Sequence, residues 1–295
     1  MPGMKHLTIV LSILFNTNLL AQVPQGTDVY VASCAINENK FSLQSPVNIT
    51  NREGYDNQPH FSIDGKLLYY VAIKDDGQSD VYTYDFKTQK SLQLTKTVES
   101  EYSPKISLAE NAITVVRVET DSTQLLWNYA LNGTNPEVIC TQVDSVGYYT
   151  HVNQNEMAFF KVTAVSSLWL LNKKDCKESL LASNVGRSIQ ALNDGQVYFT
   201  QMIDSVRWIV KMNLKNRQLE KVVKMVEEGE DFALLGNDYF CMSAKSKLYT
   251  FKKENNQTWV EIADFSSFGL NNLKRIAFNK NLTKLAFVND AAAKK

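Results

Sequence analysis

Two of the three histidines are the side chains best placed by the sequence to carry out chemistry together. His60 and His151 each stand at the start of a segment predicted to be the innermost strand of a repeat, bordering a central channel. Facing imidazoles could act as acid and base or hold a metal ion. A metal site needs at least three converging ligands, and Glu101 and Asp231 are the candidates for the third. The alternative, which we favour, is that these histidines are ordinary polar residues of the channel wall.

Motifs that mark common enzyme classes are missing from the sequence. It contains no G-x-S-x-G, no H-E-x-x-H and no Walker-type glycine loop. Asp75, Asp76, Gln78 and Asp80 surround Gly77, but the bidentate glutamate that ends a calcium loop is lacking, so a solvated turn is expected. We therefore predict a protein that is not an enzyme and needs no cofactor.

The charge balance argues against nucleic acid as a partner. The chain has 31 basic and 31 acidic residues in 295 and a formal net charge of zero, whereas nucleic-acid binding usually needs a basic stripe. Aromatic residues make up 11% and recur in short alternating runs. That pattern is typical of half-buried strands and favours an all-β protein.

The first residues are laid out like an export signal. Lys5 provides a short basic start, residues 7–20 form an apolar core, and Ala21 is a small residue at a plausible cleavage point. A membrane-spanning helix needs about 20 predominantly apolar residues, and this run is shorter and interrupted by Asn16 and Asn18. We expect residues 1–21 to be a signal peptide, which leaves no membrane span in a periplasmic or secreted protein. An uncleaved membrane anchor is the alternative.

The four cysteines follow no metal-binding spacing. Cys34, Cys140, Cys176 and Cys241 are widely separated and form no CxxC pair. We expect them to be small buried side chains. Export permits disulfides, however, and if one pair bonds it should be Cys140 with Cys176, because these two fall in successive repeats.

A repeat of about 40 residues organises the chain. Its clearest copy, residues 57–95, has four strand-like segments joined by turns, one of them the Asp64-Gly65 hairpin turn. Four strands in about 40 residues make one blade of a β-propeller. The third strand of successive copies is centred on Tyr82, Trp127, Trp169, Val210 and Tyr249, and first strands lie around Phe61, Ile106, Val152, Ile189, Phe232 and Ile276.

The two ends of the chain carry complementary half-repeats. The sixth copy has two strands, around 273–278 and 285–288, while residues 28–31 and 41–50 match the third- and fourth-strand text of the first copy. We predict an all-β, six-bladed β-propeller with four-stranded blades, forming one domain over residues 22–295. N-terminal strands at about 28–50 should complete the last blade, begun at about 270–290, and so leave no open edge. A pair of β-sandwiches is the rival, but it does not explain the period.

One segment resembles a known family. Residues 55–66 (YDNQPHFSIDGK) are similar to the repeat of TolB-like propellers, also called WD40-like or PD40 repeats, whose core is close to P-x-F-S-P-D-G-K. Ile63 stands where the family usually has proline. The resemblance covers about residues 51–107, and beyond them only the strand centres persist. It implies the propeller fold and not one function, because the family includes periplasmic partners in envelope complexes and modules fused to peptidases.

Partners of propellers commonly bind at the mouth of the channel, on loops between blades. Those loops carry aromatic and arginine side chains, the types enriched at binding hot spots, although half of the tyrosines could instead pack between blades. The predicted binding residues, taken from these loops and from the channel, are Tyr55, His60, Glu101, Tyr102, Tyr149, His151, Arg187 and Asp231, with Tyr148 and Phe268 on the same loops.

The function predicted from the sequence is non-catalytic binding. We expect an exported monomer that engages a protein or peptide partner in the cell envelope. The alternatives are a lactonase- or lyase-like propeller enzyme with a metal in the channel, and a glycan-binding module. Metal analysis of the purified protein separates the enzyme from the others, and glycan-array binding separates the glycan-binding module.

Overall fold

The computed structural model describes residues 25–37, 40–74, 77–107, 111–192, 195–253 and 258–291. The predicted signal peptide and residues 75 and 76 of the acidic turn lie outside these ranges. Within them the chain forms 25 strands and one short 3₁₀ helix, Ser266–Phe268. The strands are β1 Thr27–Asn37, β2 Lys40–Leu43, β3 Val47–Asn48, β4 Tyr55–Phe61, β5 Leu67–Ile73, β6 Ser79–Asp85, β7 Lys90–Gln93, β8 Ser100–Ser107, β9 Ala112–Val118, β10 Gln124–Ala130, β11 Glu137–Val138, β12 Val146–His151, β13 Glu156–Lys161, β14 Ser167–Asn172, β15 Lys177–Ser183, β16 Val185–Leu192, β17 Gln196–Ile203, β18 Val206–Asn213, β19 Leu219–Lys224, β20 Phe232–Leu235, β21 Tyr239–Ala244, β22 Lys247–Lys252, β23 Val260–Asp264, β24 Lys274–Phe278 and β25 Lys284–Asp290.

The strands form antiparallel blades in chain order. Four sheets have four strands each, namely β8–β11, β12–β15, β16–β19 and β20–β23. A larger sheet of nine strands has the order β24-β25-β1-β4-β5-β6-β7, with β2 and β3 also paired to β1. The protein is therefore an all-β propeller with four-stranded blades. No helix in the described ranges has the length and apolar character to cross a membrane.

Burial along each blade explains which residues form which strand. The second strands β5 (LLYYVAI) and β9 (AITVVRV) are buried on both faces, because neighbouring blades pack against them from each side. The outermost strand β7 (KSLQ) is mostly exposed. The turn between β4 and β5 is the predicted one: Gly65 has a φ of 67°, which glycine adopts without steric cost. The carboxylate of Asp64 accepts hydrogen bonds from Ser62 Oγ at 2.8 Å and Lys66 N at 3.1 Å.

The N-terminal strand β1 lies beside the C-terminal strand β25. Their antiparallel register runs from Thr27 opposite Asp290 to Ser33 opposite Lys284. On its other side β1 pairs with β2 and β3. The sequence predicts one outer strand over 41–50, and the structure has two short ones instead, because Pro46 has no backbone N–H to donate to a ladder between them.

A disulfide joins Cys140 and Cys176, with 5.7 Å between their Cα atoms. This is the pair that the repeat positions singled out, so the expectation of four unbonded cysteines is wrong for these two. The other cysteines, Cys34 and Cys241, are free. The bridge ties the segment after β11 to the turn between β14 and β15, and so fastens one blade to the next.

Reducing this disulfide is expected to lower the free energy of unfolding by about 2–4 kcal/mol, because the closed loop no longer restricts the unfolded chain. Urea unfolding followed by tryptophan fluorescence, with and without dithiothreitol, measures the difference. The control is Cys140→Ser with Cys176→Ser, whose midpoint should not respond to dithiothreitol. An equal response of both proteins would contradict the prediction.

Candidate functional site

A single cavity of about 340 Å³ lies where the innermost strands converge. Strands β4, β8, β12, β16, β20 and β24 each contribute to its wall. From the predicted set, His60, Tyr149, His151, Arg187 and Asp231 line this cavity, which we call the channel cavity. His60 and His151 were predicted on first strands bordering the channel, and Tyr149, Arg187 and Asp231 on loops between blades; the structure brings all five to one cavity.

Bulges in the inner strands set the direction of the side chains. Pairing of the inner to the second strand shifts register within β4, β8 and β24. At these bulges Gln58, Ser103 and Arg275 have φ angles of 55°, 53° and 55°, a left-handed conformation that is uncommon without glycine. The backbone N–H of Ser103 donates to Gln58 Oε1 at 2.6 Å and links two neighbouring bulges. Bulges of this kind re-aim side chains next to functional sites.

Asp231 is the carboxylate that organises the arginines of the cavity. Arg187 donates from Nε and Nη2 to its two oxygens, both at 2.9 Å. The backbone N–H of Arg275 donates to Asp231 Oδ2 at 3.0 Å, and Nε of Arg275 lies 4.0 Å away. Burial acts to raise the pKa of Asp231, but Arg275 and Arg187 outweigh it and hold that pKa at about 2. The carboxylate is thus charged at neutral pH and largely occupied by its partners.

Arg275 also reaches across the channel. Its Nη2 donates to the hydroxyl of Tyr148 at 2.9 Å, and its guanidinium carbon lies 4.8 Å from the centre of that ring. Burial raises the pKa of Tyr55 to about 12, and among the neighbours that influence it are Arg275, Tyr148 and Tyr102. Arg275 therefore contacts Tyr148, and Tyr55 lies within electrostatic range of Arg275, Tyr148 and Tyr102. We call Tyr55, Tyr102, Tyr148, Arg187 and Arg275 the mouth cluster.

Two basic side chains, His60 and Lys105, lie in the wall of the channel cavity at equivalent positions of successive repeats. Burial, with Lys105 and His151 nearby, lowers the pKa of His60 to about 3, so its imidazole is neutral at pH 7. Burial and the charge of Arg275 lower the pKa of Lys105 to about 8. The Lys105 ammonium lies 5.6 Å from the centre of the Tyr149 ring.

Tyr149 and Glu101 have structural contacts between blades. The Tyr149 hydroxyl lies 2.9 Å from the carbonyl oxygen of Ser103 and 2.5 Å from that of Thr114, and its ring forms part of the cavity wall. Glu101 is fully buried outside the cavity, where its carboxylate accepts hydrogen bonds from the hydroxyls of Tyr129 and Thr97. The structure therefore does not bring Glu101 to the histidines.

The donor set of the cavity suits an anion better than a metal cation. No group of three or more His, Cys, Asp or Glu side chains is placed to hold a metal ion in the described ranges. Asp231 is already paired with two arginines, and Lys105 adds a further positive charge to the same wall. A divalent cation would meet repulsion there.

Sequence reasoning missed Lys105 and Arg275. A signal for Lys105 was present, because the repeat shift of 45 residues that takes Pro59 to Pro104 also takes His60 to Lys105. For Arg275 there was none, since its role depends on a bulge at a non-glycine residue and on a contact with Tyr148, 127 residues away in the chain.

Comparison with solved structures shows that the chain has a β-propeller fold similar to that of TolB-like proteins. No protein-family model and no curated protein sequence matches the chain. A TolB-like protein from Agrobacterium tumefaciens superposes with a TM-score of 0.70 at 10% identity, over 92% of this chain and 100% of that one.

Two enzymes share the same architecture. A gluconolactonase from Xanthomonas campestris superposes with a TM-score of 0.62 at 9% identity, over 90% of this chain and 96% of that one. An oligogalacturonate lyase from Vibrio parahaemolyticus superposes with a TM-score of 0.51 at 13% identity, over 92% of this chain and 100% of that one. At such identities the likeness establishes the fold alone.

Proposed function

We propose that this chain is an exported, non-catalytic six-bladed β-propeller that binds a protein or peptide partner of the cell envelope at the mouth of its channel. The observation that carries the proposal is the mouth cluster, in which Arg275 donates to Tyr148 beside an open cavity and Tyr55 lies within electrostatic range of both and of Tyr102. Tyrosine and arginine are the residue types that dominate binding hot spots.

The count of six blades is supported by how the inner strands touch. Strands β4, β8, β12, β16, β20 and β24 contact one another in cyclic order, with β24 returning to β4. The nine-stranded sheet is joined between β1 and β4 by a single parallel bridge, Thr27 opposite Tyr55. Dividing it there leaves one blade of β4–β7 and one built from both ends of the chain. Residues 22–295 then form one domain, closed by strands within residues 28–50.

A rigid scaffold under the mouth cluster favours binding. Arg187 is locked by its two bonds to Asp231, and Arg275 by its bond to Tyr148. Side chains held in place before binding lose little freedom when a partner arrives, which increases the affinity gained per contact. The resemblance of residues 55–66 to the TolB-like repeat supports the same class of function, because that family includes periplasmic partners in envelope complexes.

A lactonase- or lyase-like enzyme is the second candidate. Two propeller enzymes share the fold, and Lys105 with a pKa of about 8 stands in the cavity beside neutral His60, as a general base could. The glycan-binding module is the third, since the tyrosines of the mouth could equally face a sugar ring. Stoichiometric metal in the purified protein would favour the propeller enzyme. Binding to a glycan array would favour the glycan-binding module.

Changing the mouth tyrosines should abolish partner capture. The bait is residues 22–295, cross-linked to envelope extract of the source cell, compared with a variant carrying Tyr102→Ala and Tyr148→Ala. We expect a protein captured by the unaltered bait to bind the variant at least about 30-fold more weakly when purified and titrated, since hot-spot truncations cost about 2 kcal/mol or more.

The matched control places two truncations on outer strands, Leu92→Ala and Leu180→Ala, where the side chains are 69% and 53% exposed. It should bind like the unaltered bait. If the partner binds all three proteins equally well, the mouth of the channel is not its binding site. If the bait captures no protein specifically and contains stoichiometric metal, the propeller enzyme becomes the better interpretation.

A further inference from the structure

We propose that the channel cavity binds one carboxylate group, the C-terminal carboxylate of a peptide, through the Lys105 ammonium and the Arg275 guanidinium. The inference rests on the proposed function, since it names the chemical group of the partner that enters the channel. It starts from an imbalance of charge in the cavity wall.

Within the described ranges, no carboxylate forms an ion pair with Lys105. Lys105 lines the channel cavity, and its ammonium lies 5.6 Å from the centre of the Tyr149 ring. The neighbouring inner strand presents neutral His60, and Arg275 repels Lys105 across the cavity. A partly buried cation placed beside a neutral ring, a neutral imidazole and a second cation is unfavourable until an anion arrives.

Arg275 has donor capacity left over. Of its five N–H groups, Nη2 donates to the Tyr148 hydroxyl, and Nε is 4.0 Å from Asp231, beyond hydrogen-bond distance. A guanidinium fork of this kind matches the two oxygens of a carboxylate. The left-handed backbone at Arg275 and its N–H bond to Asp231 hold the side chain over the cavity.

The size of the imbalance points to a single negative charge. Arg187 is matched by Asp231 at 2.9 Å and by Glu230 at 2.7 Å. The positive charges that remain are those of Lys105 and Arg275. Asp231 also offsets part of the Arg275 charge. A carboxylate carries one negative charge, whereas a phosphate monoester carries about 1.5 to 2 at pH 7. One carboxylate therefore neutralises the remaining positive charge of the cavity wall without adding an excess of negative charge.

The dimensions of the cavity favour the end of a chain. Its volume of about 340 Å³ is near the lower limit for small-ligand pockets, so it admits a terminus or a few residues. Tyr55, Tyr102 and Tyr148 at the mouth would contact the residues that precede the terminus. A peptide approaching through this mouth places its terminal carboxylate against the Lys105 and Arg275 wall.

The test is calorimetric titration of residues 22–295 with N-acetyl-glycylglycine and, separately, with its C-terminal amide. We expect the acid to bind and the amide to bind at least about tenfold more weakly, because a charged hydrogen bond is lost. Galacturonate and inorganic phosphate are titrated beside them. Equal binding of acid and amide, or no binding of either, would overturn the proposal, as would tighter binding of galacturonate or phosphate than of the peptide acid.

Variants separate a binding role from a structural one. Lys105→Met should weaken binding of the peptide acid at least about tenfold. The thermal midpoint of the free protein should stay the same or rise, because an uncompensated buried charge is removed. Lys105→Arg should retain binding. Lys66→Met, whose side chain is 80% exposed in a turn, is the control and should change neither quantity. Loss of stability in Lys105→Met with unchanged affinity would overturn the proposal.

The two proposals fail in different ways. If the peptide acid binds and the envelope extract yields no partner, the proposed function fails and the carboxylate site stands. If the captured partner binds Lys105→Met and the unaltered protein equally well, the carboxylate site fails and binding at the mouth stands.

Discussion

Replacing Asp231 by asparagine is expected to lower the free energy of unfolding at pH 7 by about 3–5 kcal/mol, the usual cost of removing one partner of a buried ion pair. The carboxylate is 6% exposed and receives two hydrogen bonds from Arg187 and one from the backbone of Arg275. Asparagine keeps the shape but leaves two partly buried guanidinium groups without their shared negative charge. Urea unfolding at pH 7 measures the loss.

The same variant predicts a pH dependence. The folded pKa of Asp231, about 2, lies below the value of about 3.9 for an unfolded chain. A lowered folded pKa contributes stability that is fully present above the unfolded value and is lost as pH falls through the folded one. The difference between the unaltered protein and Asp231→Asn should therefore be constant from pH 7 to about 5 and shrink between about pH 4 and 2.

Glu230→Gln is the control for this prediction. Glu230 also contacts Arg187, at 2.7 Å, but its side chain is 55% exposed. Water and salt screen such a pair, so its loss should cost at most about 1 kcal/mol. If Asp231→Asn costs no more than Glu230→Gln, Asp231 does not organise the arginines as described, and the rigid mouth on which the proposed function depends loses its support.

Replacing Phe287 by alanine is expected to cost about 3–5 kcal/mol of unfolding free energy, as large aromatic truncations in cores do. The side chain is fully buried in β25, and its ring centre lies 5.3 Å from that of Phe265 and 5.7 Å from that of Tyr30. Tyr30 belongs to the N-terminal strand. The truncation therefore removes a contact between the two ends of the chain and leaves a cavity where they meet.

Phe268→Ala is the matched control, since this phenylalanine is 51% exposed. It should shift the unfolding midpoint little, because most of its ring already contacts water. A double-mutant cycle with Tyr30→Ala isolates the contact between the ends, and we expect a coupling of about 0.5–1.5 kcal/mol. Additive effects of Tyr30→Ala and Phe287→Ala would contradict the proposed closure through these strands.

Most of the strand positions could be predicted because each depends on its own residues. Turns such as Asp64-Gly65 and the alternating segments around Tyr82 and Trp127 carry local signals, and the structure has strands there. The site was harder to predict. Tyr149 was expected at the binding surface, and its hydroxyl instead lies against two carbonyl oxygens of a neighbouring blade. Glu101 was expected near the histidines and is buried beside Tyr129. The spacing of residues along a strand does not say which of two adjacent blades a side chain will meet.

By itself, the sequence determined that this protein is an all-β chain of repeated four-stranded units, because hydrophobic alternation and turn chemistry act over a few residues. It also placed His60 at the start of an inner strand, and Arg187 and Asp231 on loops at the mouth of the channel. Only the tertiary structure decided which charges compensate one another. The contact of Arg275 with Tyr148 joins residues 127 positions apart, and no carboxylate of the described ranges pairs with Lys105. Such balances arise from the packing of six strands around one cavity, so no single segment of the chain encodes them.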